Sequence, residues 1–501
     1  MNSSSIKRNP SIVIVGAGMT GILWAIKLQE AGITDVTILE KANKLGGTWR
    51  ENTYLGVACD VPAHMYSYSF EPNPDWSHVF APGAEILAYF DRVAKKYGVA
   101  EQINFNESVV SSVYDNAKWT VTTSKGNRFR ADFVINCTGI LHHPARPEIA
   151  GLESFDGDQF HTAEWDHGVE LKGKRVGIIG TGSTATQVIP NLAKSAGSLH
   201  VFQRTPQWIL PLKNNRFSEK FKQSLRMNPK KIERLRAIYS WGMRNIITRA
   251  VTGEKLPAAL LSIACKLNLR LGVKDKALRQ KLTPDYKVGC KRIVISSIFY
   301  RAMTQKNVNL VTDQIECVVP GGVKTKDGRI HELDTLILAT GFKPTAYMRP
   351  IDMQGRASQT IDQAWKRKIV TYRSVAMPGF PNNFLMLGPN TPTGNYSVIA
   401  MSEVQCDYIL KLIDGWRRGE YDEIDVSEET AKNFSAYIRR GMGKTAWASG
   451  CSSWYLDADG DPILWPYSWE RWEQEMAEPQ WEHFQTRKVV APIAMNDTIS
   501  A

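Results

Sequence analysis

Cysteine is scarce and scattered: the 501 residues hold seven, at 59, 137, 265, 290, 317, 406 and 451, with no C-x-x-C pair. Such spacing gives no disulfide framework, no zinc site and no redox-active dithiol, and it predicts reduced thiols. Long apolar runs are missing as well. The longest, such as IVIVG at 12–16 and AALLSIAC at 258–265, fall well short of the roughly 20 residues that cross a bilayer. No transmembrane segment is expected. The opening MNSSSIKRNP has no apolar core and no small-residue cleavage site, which predicts a cytoplasmic protein. One region lacks acid. Residues 213–292 carry 21 Lys and Arg against 5 Asp and Glu, in a chain of net charge +12, so the remainder is slightly negative. A basic patch of this kind attracts nucleic acid or a membrane surface, but solvated helical faces are the plainer reading, and no nucleic-acid partner is expected.

What is present begins with glycine. With 43% hydrophobic residues the chain has material for two or three domains, and two stretches read strand, tight glycine turn, amphipathic helix, strand. The first runs from Ser11 to Lys41 and carries Gly16-x-Gly18-x-x-Gly21, with Glu40 closing its second strand. Gly16 permits the turn, Gly18 lets a pyrophosphate approach the helix N-terminus, and Gly21 allows close packing of helix on strand. Glu40 suits a ribose diol. The second copy carries Gly180-x-Gly182-x-x-Ala185, with Thr181, Ser183 and Thr184 as further candidates in the same loop. Its following strand ends in Gln203-Arg204-Thr205, without an acid. A carboxylate there repels a 2′-phosphate, whereas a guanidinium grips it, so Arg204 and Thr205 predict NADP(H).

Two loops about 160 residues apart, one tagged by an acid and one by an arginine, predict two nucleotides bound together, with a resident FAD reduced by NADPH as one natural pairing. FVINCTGI at 133–140 and DTLILATGF at 334–342 are apolar strands ending in Thr-Gly, suited to crossings between nucleotide domains. The expected architecture is α/β, with two Rossmann-like dinucleotide-binding domains. FAD residues span 1–143 and 380–501, and an NADP domain over 144–379 carries a basic helical insertion at about 213–285. Leu225, Ile232, Leu235 and Ile238 mark helical periodicity in that insertion.

Further motifs narrow the reading. Phe155-x-Gly157-x-x-x-His161-x-x-x-Trp165-Asp166, just ahead of the second glycine loop, resembles the fingerprint of type I Baeyer-Villiger monooxygenases. Gly46-Gly47-Thr48-Trp49 with Tyr54, Gly56 and Asp60 resembles a second pattern of that family, except that Leu55 stands where the family has Pro. Losing that ring loosens the turn. YSYSF at 66–70, GCKR at 289–292, LATGF at 338–342 and CSSWY at 451–455 extend the resemblance over nearly the whole chain.

The resemblance implies an NADPH- and O2-dependent FAD monooxygenase that converts a ketone to an ester or lactone through a C4a-peroxyflavin. It implies that Arg292 is catalytic, that Asp60 orients it, and that Lys291 joins Arg204 and Thr205 at the 2′-phosphate. Thr48, Trp49 and Tyr66 are implied near the cofactors, and Trp454 on a C-terminal loop that closes over the nicotinamide. His161 is implied in domain closure rather than as a general base. A flavin-dependent N- or S-oxygenase is the nearest alternative, disfavoured by the Trp165-Asp166 pair. A disulfide reductase is disfavoured by the missing C-x-x-C. An NADP-sensing regulator with dead flavin chemistry is the reading from another class.

Overall fold

The computed structural model describes residues 8–392, 396–451, 456–457, 460–461 and 463–489. Among these, two five-stranded parallel sheets carry the two glycine loops. The first has the order Asn383–Leu385, Phe133–Asn136, Ile12–Val15, Val36–Glu40, Ile103–Phe105. Its central strand Ile12–Val15 is buried throughout, as a parallel strand covered on both faces must be. Side chains alternate between the faces. Ile12, Ile14 and Ile38 join a core with Ile22, Leu23 and Ile26 of the helix Met19–Glu30 and with the long helix Val398–Arg417. Val13, Val15 and Leu39 pack instead with Trp119 and Val121 of a four-stranded sheet.

The second parallel sheet has the order Val308–Val311, Ser198–Phe202, Arg175–Ile179, Thr335–Leu338, Asp158–His161. Between the short paired strands Ile209–Leu210 and Val294–Ile295 comes a run of helices, among them Glu219–Met227, Pro229–Gly242 and Lys255–Gly272. The insertion is therefore helical.

Two features differ from expectation. Asp352–Gln354 pairs in parallel with Ser111–Val113 of the four-stranded sheet, and Tyr347, Met348 and Ile351 enter the core beneath the first parallel sheet. These residues fall inside the 144–379 range expected for the second unit, yet they pack with the first. A three-residue strand is too short to show the alternation that would have announced it. The thiol expectation is also corrected, because Cys290 and Cys451 form a disulfide across 161 residues of sequence, with Cα atoms 6.2 Å apart. A search for close-spaced pairs detects only local geometry. The other five cysteines are free.

Candidate functional site

The first glycine loop brings its polar partners together inside the protein. The helix Met19–Glu30 starts at Gly18 with no side chain capping its first-turn N–H groups, whereas Ser218, Ser397 and Ser427 each cap the helix they begin. Uncapped N–H groups at a helix start are donors for an anion. Gly21 is required by contact: a Cβ there would lie 1.9 Å from the carbonyl oxygen of Gly16. Glu40 is 3% exposed. Its carboxylate accepts from the backbone N–H of Ala17 at 2.9 Å and of Ala42 at 3.0 Å, and from Arg50 Nη1 at 3.0 Å. Gly46 N–H donates to Ala17 at 3.0 Å, which lays the Gly46–Gly47 turn against the loop. Thr48 and Trp49 open the short helix that follows, and Trp49 Nε1 donates to the Tyr66 hydroxyl at 3.1 Å.

The second loop is more open. Its helix Ser183–Ser195 begins at Gly182, again uncapped by a side chain, and a Cβ on Gly182 would meet nothing within 4 Å. Thr181 Oγ1 donates to the Thr205 carbonyl at 2.8 Å, tying the loop to the end of the next strand. Arg204 is exposed there. Lys291 arrives from the far side of the insertion with Nζ 5.1 Å from the Tyr286 ring centroid. Its pKa is lowered by burial and then by the nearby Arg204 charge, with Asp285 opposing. Two cations sharing one place, with no carboxylate at ion-pair distance from either among the described residues, suit a doubly charged phosphate.

The units meet at the segment 54–60. Tyr54 donates its hydroxyl to Gln187 Oε1 at 3.0 Å, and Gln187 Nε2 donates to the Ala58 carbonyl at 2.9 Å. Burial pushes the Tyr54 phenol up to about 12, so it stays protonated as the donor. Gly56 lies so close to the helix Ser183–Ser195 that a Cβ would fall 2.3 Å from Asn191 Nδ2 and 2.8 Å from the Gln187 carbonyl oxygen. The turn that lost a proline at Leu55 is thus held by contact with the opposite unit. Four residues beyond Gly56, Asp60 accepts from Arg292 Nε at 3.2 Å and from Nη2 at 2.8 and 2.6 Å. This fork fixes the plane of the guanidinium.

The pair opens on a small, partly open cleft. Leu210, Met243, Ile247, Val251 and Ile293 give it apolar walls, and Tyr396 and Trp447 also line it. Met243 and Ile247 belong to a π-helical turn, Met243–Thr248, in the insertion. Tyr396 is anchored by Arg244 Nε at 3.1 Å and packs against Trp469, the rings tilted at 31° with centroids 3.9 Å apart. None of Arg50, Gln187, Tyr396, Trp447, Met243 or Ile247 stands out in the sequence; Arg50, one residue past the G-G-T-W motif and basic, is the nearest to a signal. The Cys290–Cys451 bond adjoins Lys291, fastening the cleft's basic segment to the chain just before 452–455. Trp454 lies outside the described residues.

The linker fingerprint forms the edge of the second sheet. Leu338 pairs with His161 in register, so the histidine sits beside the LATGF segment, its ring 6.2 Å from that of Phe342. His161 is fully buried, Nδ1 accepts from the Ala163 N–H at 3.1 Å, and burial lowers its pKa. Phe160 packs edge-on against Trp165 at 5.1 Å. Asp166 accepts from the Gly168 N–H at 2.8 Å, closing a turn. A Cβ on Gly157 would lie 2.4 Å from the Asp334 carbonyl oxygen.

Residues 13–248 match the family model described as pyridine nucleotide-disulphide oxidoreductase. An uncharacterized monooxygenase of Mycobacterium tuberculosis is 42% identical over 99% of each chain. A Baeyer-Villiger monooxygenase of Streptomyces coelicolor is 36% identical, over 91% of this chain and 88% of its own. A solved structure of oxidized steroid monooxygenase bound to NADP superposes with a TM-score of 0.86 at 28% identity, covering 96% of this chain and all of that one. With both glycine loops, the arginine-aspartate fork and this similarity along the whole length, the chain belongs to the Baeyer-Villiger monooxygenases.

Proposed function

We propose that this enzyme oxidises an apolar ketone to the ester or lactone, with Arg292, held by Asp60, acting at the carbonyl oxygen. It is an FAD-containing, NADPH-dependent flavoprotein monooxygenase. The residues around Gly18 fit FAD: uncapped N–H groups for the diphosphate, a pre-oriented Glu40 carboxylate for the ribose diol, and Trp49 and Tyr66 beside the loop. Those around Gly182 fit NADP(H), with open space at the glycine, Ser183 and Thr184 on the first turn, and Arg204, Thr205 and Lys291 for the 2′-phosphate. When bound, NADPH supplies the hydride and FAD the two-electron chemistry that activates dioxygen.

The chain's own part is positioning and electrostatics. Asp60 occupies Nε and Nη2 of Arg292 and so fixes the direction of a permanent positive charge. Around that charge the apolar walls keep the dielectric low, where a fixed cation stabilises developing oxyanion charge far better than water does. The same walls exclude polar competitors and favour a ketone with a hydrocarbon frame. The observation that carries the reading is the Arg292–Asp60 fork at the rim of this cleft.

Replacing Arg292 by alanine is expected to leave anaerobic flavin bleaching by NADPH intact and to lower ester or lactone formation by about 100-fold or more, the scale of losing one oxyanion-stabilising donor. Stopped-flow absorbance reads the first and mass spectrometry the second, over linear, cyclic, aromatic and steroid ketones. Equal product yield from the variant would remove Arg292 from the chemistry.

A further inference from the structure

We propose that the helical insertion docks on an anionic membrane surface through the outer face of the helix Lys255–Gly272. That helix is apolar on two opposite sides. Leu261, Cys265 and Leu269, spaced by four, face inward and are buried. On the outer side Leu256, Leu260, Ile263, Leu267 and Leu271 are between 50% and 71% exposed. Their spacings of four, three, four and four residues place them on one stripe of about 80° around the axis, running roughly 22 Å along it. A helix bordering water ordinarily carries polar residues there, and an aligned apolar stripe marks a contact surface.

Charge selects the occupant. Lys255, Lys266 and Arg270 on the same helix are exposed, as are Lys274, Lys276 and Lys281 just beyond it. The neighbouring acids are engaged: Glu254 pairs with Arg249 at 3.6 Å, and Asp275 accepts from the Leu278 N–H at 2.7 Å as a helix cap. A two-fold contact between copies of this chain would set one basic rim against its equal. A bilayer rich in anionic lipid satisfies both features, taking the leucines at the acyl boundary and the cations at the headgroups. Exposed Ile238 and Trp241 in the preceding helix of the insertion have the same composition bias, tryptophan favouring the lipid interface. Among the described residues no helix is long and apolar enough to cross a membrane, so the mode is lying on the surface.

The placement bears on the cleft. The Met243–Thr248 turn packs against this helix and also gives Met243 and Ile247 to the cleft wall. The docking face therefore lies about one helix layer from the cleft wall, which, resting on the ketone reading above, favours substrates dissolved in lipid.

The test is vesicle flotation of the full-length holoenzyme with phosphatidylcholine vesicles and with vesicles of equal parts phosphatidylcholine and phosphatidylglycerol, at low and high salt. Binding is expected to the anionic vesicles only and to weaken with salt. Leu260→Asp/Leu267→Asp is expected to lower it at least about tenfold by removing two apolar side chains that the bilayer would cover. Lys266→Glu/Arg270→Glu should lower it by more than that, because it removes two positive charges and adds two negative ones at headgroup level. Both pairs are exposed, and thermal melts by circular dichroism verify that the variants fold. Absence of flotation, equal flotation with neutral vesicles, or retention by both variants overturns the proposal. So does a wild-type dimer in sedimentation velocity that Leu260→Asp/Leu267→Asp dissociates, which gives the face to a second copy. Ketone turnover is assayed separately in vesicle-free buffer, so a failure here is distinct from a failure of the catalytic reading.

Discussion

At the first glycine loop the acid that ends the next strand is buried, held by two backbone N–H groups and Arg50; at the second, the residue in that place is Arg204, exposed to solvent. The helices differ too. Gly21 cannot carry a Cβ without striking the Gly16 carbonyl, whereas Ala185 in the matching position carries one and is fully buried, so the second helix stands further from its turn. The first loop is held by fixed internal bonds, which suits a nucleotide that stays. The second offers charge and open space, which suits a nucleotide that comes and goes with each turnover.

Five experiments sharpen or break this contrast. Gly21→Ala has the largest expected effect: the obstacle is backbone, so the helix must shift, and the purified protein is expected to have lost its FAD, read as the ratio of flavin to protein absorbance after desalting. Gly182→Ala, whose Cβ meets nothing, should keep FAD and raise only the NADPH KM. Next, Arg204→Ala is expected to raise KM for NADPH about 10- to 100-fold, the worth of a charge-assisted bond of about 1.5–3 kcal/mol, and to leave KM for NADH unchanged in steady-state assays. An equal rise for NADH would detach Arg204 from the 2′-phosphate.

The pH dependence is subtler. In the proposed reading NADPH binding draws on protonated Lys291, whose pKa is lowered by burial and by Arg204. KM for NADPH should be flat below that lowered value and rise as pH climbs through it. In Arg204→Ala the repulsion is gone, the lysine keeps its proton to higher pH, and the rise moves upward. A rise that stays in place would assign it to another group. Smallest of all, thiol titration of the unfolded chain should count five groups before reduction and seven after it, and the folded holoenzyme should retain FAD equally with the disulfide intact or reduced, because the bond touches neither glycine loop.

The glycine loops were legible because their chemistry is local: a turn, a helix start and the end of the next strand lie within one short stretch. The Asp60–Arg292 contact spans 232 residues, and only similarity to known motifs linked the two; nothing in either neighbourhood encodes the other. Tyr396, Trp447, Met243 and Ile247 look in the sequence like ordinary core residues, and burial alone does not tell a cleft wall from a core. Cys290 and Cys451 were illegible for the same reason. The return of 352–354 to the first unit was hidden by the shortness of the strand. Residues 155–166 were clear as a motif, and what the motif could not show is that His161 is buried, accepts from the Ala163 N–H and has its pKa lowered by burial.

The clasp at Tyr54, Gly56 and Gln187 has a mechanical corollary. A backbone wedged against a helix with no room for one extra carbon pins the two nucleotide units to each other at residue 56. Asp60, four residues on, sits close to that contact, which steadies the carboxylate that orients the Arg292 guanidinium.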